Sequence, residues 1–325
     1  MDKIVGSKIE ISVKTILIGI GVFISLQFAW ELKDIFISLF VAYIVMSAAR
    51  QPVEALVKRG FSRGLAVFLV FLSFFVSLGF IISWIIPPFV SETALFITHF
   101  PKIVESVKPA LPINIGSLSL TQYIPSVTNN FIGVLGSVFS NAALFMTTLF
   151  FSIYLTLDSN LINTLFSRYV SKTQLEKIVK IEAQIQKRIG QWLLGQLFLM
   201  TIIGTTTYIG LLLLGVKYAL PLGIIAGLLE AIPNVGPTIA AIPAFFVGFS
   251  QLPLLGLFTI LLAVAVQQFE NQIIVPLVMK RVVGLHPMLT LLALIIGGRF
   301  AGVPGMLFAI PFALVVETIA TGIQE

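Results

Sequence analysis

The chain has 325 residues, 58% of them apolar and 10% charged, with a mean hydropathy of +1.05, whereas soluble domains run at roughly 45–50% apolar and 25% charged. That balance excludes an ordinary soluble fold and makes lipid the expected solvent for most of the chain. Cysteine is absent, which removes disulfides, thiolate metal sites and cysteine nucleophiles. The net charge of +6 comes from Lys and Arg beside apolar runs, where they signal topology rather than a nucleic-acid surface.

Lys3, Lys8 and Lys14 precede an apolar run that ends at Trp30. This start resembles a signal peptide, but no small-residue cleavage site follows, so it reads as an uncleaved first span. Since about 20 apolar helical residues cross a hydrocarbon core of about 30 Å, five segments qualify as spans: 14–30, 35–49, 64–86, 136–157 and 191–214. The second is short for a crossing.

Arg50, Lys58, Arg59 and Arg63 follow the second span, and Arg168, Lys172, Lys177, Lys180, Lys187 and Arg188 follow the fourth, while the opposite side receives Lys33, Lys102, Lys108 and Lys217. By the positive-inside rule both basic loops, and with them the N-terminus, are expected in the cytoplasm. Residues 87–135 hold Pro101, Pro109, Pro112 and Pro125 among Ser, Thr and Asn. This stretch reads as an outer-surface excursion with short interfacial helices, too interrupted for one helix. Thr173 with Glu176 forms a capping pair that opens an amphipathic helix over 173–189, expected to run into the fifth span.

Two segments near the C-terminus are broken. The apolar run 218–231 covers only about 21 Å as a helix, and Pro233, Asn234, Gly236 and Pro237 end it before a second short run, 238–249. Either the halves make one bent crossing or they make a re-entrant hairpin. The second segment repeats the plan: 288–297, a break over 298–305 holding Gly298, Arg299, Gly302, Pro304 and Gly305, then 306–318. Aligned, Gly215 falls on Gly284, Glu230 on Arg299 and Gly236 on Gly305. If both are hairpins, the span 254–278 joins them and leads to Lys280 and Arg281 inside, so they enter from opposite faces in the layout of an inverted repeat.

Interrupted segments of this kind point to a substrate site, because a break frees backbone groups and aims helix ends at a ligand. Charges at membrane depth cost several kcal/mol unless paired or hydrated, which singles out Glu230, Glu270 and Arg299. Facing hairpin tips would bring Glu230 and Arg299 near each other, as an ion pair or around a polar ligand. Glu270 sits in the cluster Gln267, Gln268, Phe269, Glu270, Asn271, Gln272. These polar side chains cannot all face lipid, and a desolvated carboxyl among them is suited to take up a proton or cation. The expected substrate-binding set is therefore Glu230, Pro233, Asn234, Gly236, Pro237, Gln267, Asn271, Arg299, Gly302 and Pro304, with Glu270 and Glu230 coupling the ion. Simple interhelical hydrogen bonding is the plainer reading of the same residues. His286 reads as a cap at a helix entry, His99 as an unpartnered surface residue, and Gly298 with Gly302 as a packing pair. The chain contains no His-Glu-x-x-His and no Walker sequence, so neither an enzyme nor an ATP-driven pump is expected, and no cofactor.

The stretch Ile232-Pro233-Asn234-Val235-Gly236-Pro237, the pair Glu270-Asn271 followed by Pro276, the run Gly284-Leu285-His286-Pro287, and residues 302–311 together resemble the autoinducer-2 exporter family of permeases. The likeness covers the whole chain in layout. It implies a secondary transporter or exporter of small polar molecules, with sodium-proton antiport in some members, and a homo-oligomer, in the form of a pentamer, in the inner cell membrane. The expected fold is all-α: a polytopic helical membrane protein with about six full transmembrane helices and two broken re-entrant hairpins. The expected divisions are 1–135, 136–190 and a transport core over 191–325.

Overall fold

A computed structural model describes residues 20, 24, 27, 28, 31–107, 109, 142–158, 160–233, 235–279 and 285–324. Most of the first span, of the excursion beyond residue 107 and of the start of the fourth span lies outside the described residues, as do Asn234, Lys280, Arg281 and Gly284. Among the described residues all regular structure is helical, and five helices are long and apolar enough to cross a membrane. The chain is an all-α polytopic membrane protein.

Helix α1 spans Lys33–Lys58, with Asp34 in its first turn and Lys58 in its last, each complementing the helix dipole. The short second span therefore extends well past residue 49 and through Pro52. Two contacts beyond that point hold it: Arg50 pairs with Glu54 one turn on, and Val53 is fully buried. At the end, Gly60 turns left-handed (φ +97°), so that the Phe61 N–H reaches back to the Leu56 carbonyl, a common helix stop.

Helix α2, Arg63–Val107, corrects the reading of residues 87–107 as too interrupted for one helix: the chain stays helical through Pro87, Pro88 and Pro101. At 45 residues it is about 68 Å long at 1.5 Å per residue, more than twice a bilayer core of about 30 Å, so a large part of it projects beyond the hydrocarbon. Proline's φ suits a helix, and its cost is a lost hydrogen bond and a kink. Buried packing downstream offsets that cost: Phe96 sits among Leu211, Val216, Leu222, Ala244 and Val247, with Phe100 and Ile103 alongside.

After α3 (Ala142–Leu157) and the short α4 (Leu161–Phe166) comes α5, Lys172–Leu213. Its cap is Ser171, whose hydroxyl accepts from the Gln174 N–H while the Gln174 side chain accepts from the Ser171 N–H. Ser171 and Gln174 meet the same capping pattern as Thr173 and Glu176 two residues earlier, and they hold the site. The helix is unbroken from amphipathic segment to span. Lipid supplies little hydrophobic drive between helices, so close backbone contact has to hold them. Gly190 provides it against α1, since a Cβ there would lie 2.2 Å from the Ser47 carbonyl oxygen.

Helices α6 (Ala219–Leu229) and α7 (Val235–Gln251) flank the first break. A Cβ on Gly236 would fall 1.8 Å from the Leu229 carbonyl oxygen, whereas residues seven apart on one helix are separated by about 10 Å, so the chain doubles back. Helix α8 (Pro253–Phe269), a π turn (Glu270–Ile274) and α9 (Val275–Met279) follow as one rod. The span taken as intact thus carries a wide turn at its polar cluster. Helix α10, Pro287–Gln324, breaks only at Ala301 and Gly302 (φ +61°, ψ −139°). A Cβ on Gly305 would lie 1.9 Å from the Gly297 carbonyl oxygen, so this segment too is a helical hairpin. Gly302 is its turn residue, with open space around it, and the packing contacts belong to Gly297 with Gly305 and Gly298 with Met306. The expected Gly298–Gly302 packing pair is corrected accordingly.

Candidate functional site

Three apolar residues bring the breaks together: Ile232 beside the first, and Leu294 and Ala309 on the two arms of the second, bury one another. The site forms beside this contact. Glu230 caps the C-terminus of α6, where helical carbonyls lack partners. Its own carbonyl oxygen accepts from Gln196 Nε2 of α5 at 2.8 Å. The end of the hairpin arm is thereby tied to the long helix.

The Glu230 side chain is 1% exposed and that of Glu270, the first residue of the π turn, 3%. The Glu270 carboxyl lies within interaction reach of Glu230, while both Glu230 oxygens lack a hydrogen bond of ordinary geometry among the described residues. Gln267 Nε2 donates to Glu270 Oε2 at 3.0 Å. A π turn inserts an extra residue per turn, a feature frequent at functional sites. Here it buries Glu270 and Ile274 together and leaves Gln268, Asn271 and Gln272 exposed.

The remaining expected residues take several positions. Pro233 and Pro237 are half-buried at the first break and Gly236 is its buried contact residue. Asn234 lies outside the described residues. Gly302 and Pro304 are exposed at the second break. Arg299 is exposed there too and makes no ion pair with Glu230, which corrects the expected meeting of the two: the helical turns before each break point them to different surroundings. His286 accepts from the Met288 N–H at 3.3 Å, as a cap does. His99 is exposed yet partnered, its Nδ1 3.0 Å from the Tyr218 hydroxyl with the rings stacked.

Sequence reasoning passed over Gln196, whose signal was an amide inside an apolar span. It also passed over two polar clusters on α5. Arg50 bonds Gln186, which bonds Glu182; Arg188 pairs with Glu317 and donates to the Thr318 hydroxyl at 2.7 Å. An apolar groove between α2 and α3, lined by Val67, Phe71, Phe75 and Ile153, offers hydrocarbon only. Among the described residues no group of three or more His, Cys, Asp or Glu could hold a metal ion.

Chemically, the arrangement joins two helical hairpins, a buried carboxyl pair and a wide helical turn within a bundle of apolar helices. These are the parts of a membrane transport protein rather than of a receptor for nucleic acid. Residues 15–324 match the family model described as AI-2E family transporter, and the chain belongs to that family. It is 28% identical over 288 residues to "Putative transport protein YueF" of Bacillus subtilis (strain 168), covering 82% of this chain and 78% of that one. It is 27% identical over 303 residues to "Putative transport protein MT0215" of Mycobacterium tuberculosis, covering 86% and 81%. A shorter likeness, 25% over 138 residues, covers 42% of this chain and 39% of "Putative permease PerM" of Escherichia coli (strain K12).

Proposed function

We propose that the protein is a coupled secondary carrier that moves a small polar solute, of the autoinducer-2 type, with Glu230 and Glu270 taking up the coupling proton or monovalent cation. The observation that supports this reading is the buried carboxyl pair, in which the Glu230 and Glu270 side chains interact with each other out of solvent. Two carboxylates side by side away from water repel each other and lose their hydration. One proton or cation between them relieves both costs, so occupancy of the pair can set which arrangement of the hairpins is stable.

In this reading the breaks at Pro233–Pro237 and Gly302–Pro304 supply backbone contacts, Asn271 and Gln267 add amides, and exposed Arg299 attracts the solute at the entrance. The hairpins are re-entrant from opposite faces, with the basic loops and N-terminus in the cytoplasm of an inner-membrane homo-oligomer. Sodium-proton antiport is the second reading, favoured by the chemistry at the pair: carboxyl and amide oxygens suit a cation, and Arg299, the group suited to an anion, lies elsewhere.

Proteoliposomes holding a pH-sensitive dye provide the test, with sodium, lithium and autoinducer-2-like polyols added in turn. Wild type is expected to move protons with one of these, and Glu270→Gln to lose that movement while still folding. Undiminished proton movement in Glu270→Gln removes the pair from the mechanism; saturation-free flux without protons points to an uncoupled channel, and silence throughout to a scaffold.

A further inference from the structure

Resting on that reading, the structure also bears on how water reaches the carboxyl pair. On α5, Arg188, Trp192 and Gln196 are spaced by four residues, which stacks them on one helix face over about 12 Å. At one end, Gln196 holds the Glu230 backbone. At the other, Arg188 meets Glu317 and Thr318 of α10, where the ion-paired side chains are 23% and 28% exposed, on the part of α5 that carries its basic residues.

Between these ends lies Trp192, 6% exposed, packed with Ile310 and Leu314 of the same α10 arm. Its indole Nε1 is buried without a hydrogen-bond partner among the described residues. Hydrocarbon neighbours offer the indole no acceptor, and buried Trp N–H groups ordinarily find one, in protein or in water. Among the described residues the Trp192 N–H has no partner, and the buried Glu230 carboxyl has only the Glu270 carboxyl beside it. The Gln196 amide, bonded to the Glu230 carbonyl, lies between them, and the partly exposed Arg188–Glu317 pair ends the row.

We infer that the seam between α5 and the C-terminal arm of α10 carries a narrow thread of water from the Arg188–Glu317 pair, past Trp192 and Gln196, to the Glu230–Glu270 site. Water satisfies both groups because it donates and accepts. The thread gives the pair an aqueous connection to the face that bears the basic residues of α5. Arg188 and Glu317 pair at its mouth, so no net charge bars the route, and protons travel along its hydrogen-bonded water.

The cysteine-free chain makes a labelling test direct. Single cysteines at Gln196, on the seam, and at Leu194 and Phe198, on the exposed apolar side, are treated in proteoliposomes with silver ion, which travels through water and captures thiolates, from each side in turn. Cysteine 196 is expected to react from one side only and about tenfold faster than the other two, each unit by which hydrocarbon raises a thiol's pKa removing a factor of ten in thiolate. A second measurement leaves the seam native: with Trp30→Phe and Trp84→Phe, Trp192 is the sole indole, and contact with water makes its emission yield rise in D2O. Equal reaction at 194, 196 and 198, or a Trp192 emission indifferent to D2O, overturns the thread. The outcome is separable from the carrier reading: coupled flux with a dry seam sinks the thread alone, whereas a wet seam with undiminished flux in Glu270→Gln sinks the role of the pair alone.

Discussion

The two hairpins share a backbone plan and differ in the charge beside the break. In both, a glycine on one arm meets a carbonyl oxygen of the other, Gly236 with Leu229 and Gly305 with Gly297. The first places its acid against α5 and the π turn, buried beside the Glu270 carboxyl; the second leaves its base exposed. The comparison teaches that the doubled-back backbone is a packing device common to both, while the chemistry is concentrated on the one hairpin whose tip is covered by α5 and the π turn.

The largest effects should come from the shared device. Gly236→Ala and Gly305→Ala place a Cβ under 2 Å from backbone oxygen, which rigid carbonyls cannot yield to. Each should cost more than about 3 kcal/mol, the range of severe overpacking, seen as loss of the monodisperse folded protein in detergent. If one hairpin tolerates alanine, the two are not equivalent in packing. Gln196→Leu breaks the tie to Glu230 alone, and an unsatisfied buried carbonyl should cost about 1–3 kcal/mol, read from thermal unfolding in detergent. A smaller and different effect is expected at the second hairpin: Arg299→Gln should weaken apparent solute affinity by about 1 kcal/mol or less, as for an exposed charge, with the proton-to-solute ratio unchanged; a changed ratio would make the two hairpins partners in coupling. The smallest is Tyr218→Phe, which removes the hydroxyl facing His99 at an exposed contact and should cost about 0.5 kcal/mol or less in the same unfolding measurement.

Much of this was legible along the chain, and the misses share a cause. The breaks, the acids and the polar cluster could be read because proline, glycine and charge are conspicuous in an apolar background. Helix ends were less visible. Pro52, Pro87, Pro88 and Pro101 look like stops, but a proline stops a helix only when no downstream contact offsets the lost hydrogen bond, and Val53, Phe96 and Val104 provide such contacts from buried positions. Gln196 was hidden for a related reason. One amide in a long span carries no indication of which distant carbonyl it will bond, and Glu230 is 34 residues away in sequence.

By itself the amino-acid sequence determined the lipid environment, the helical class and the places where helices must break, because these follow from composition, periodicity and the local geometry of proline and glycine. Only the tertiary structure decided that Glu230 meets Glu270 rather than Arg299. Which buried charge faces which depends on the rotation of each helix about its axis, and that rotation is set by contacts such as Gly190 on Ser47 and Ile232 on Ala309, between residues far apart in the chain.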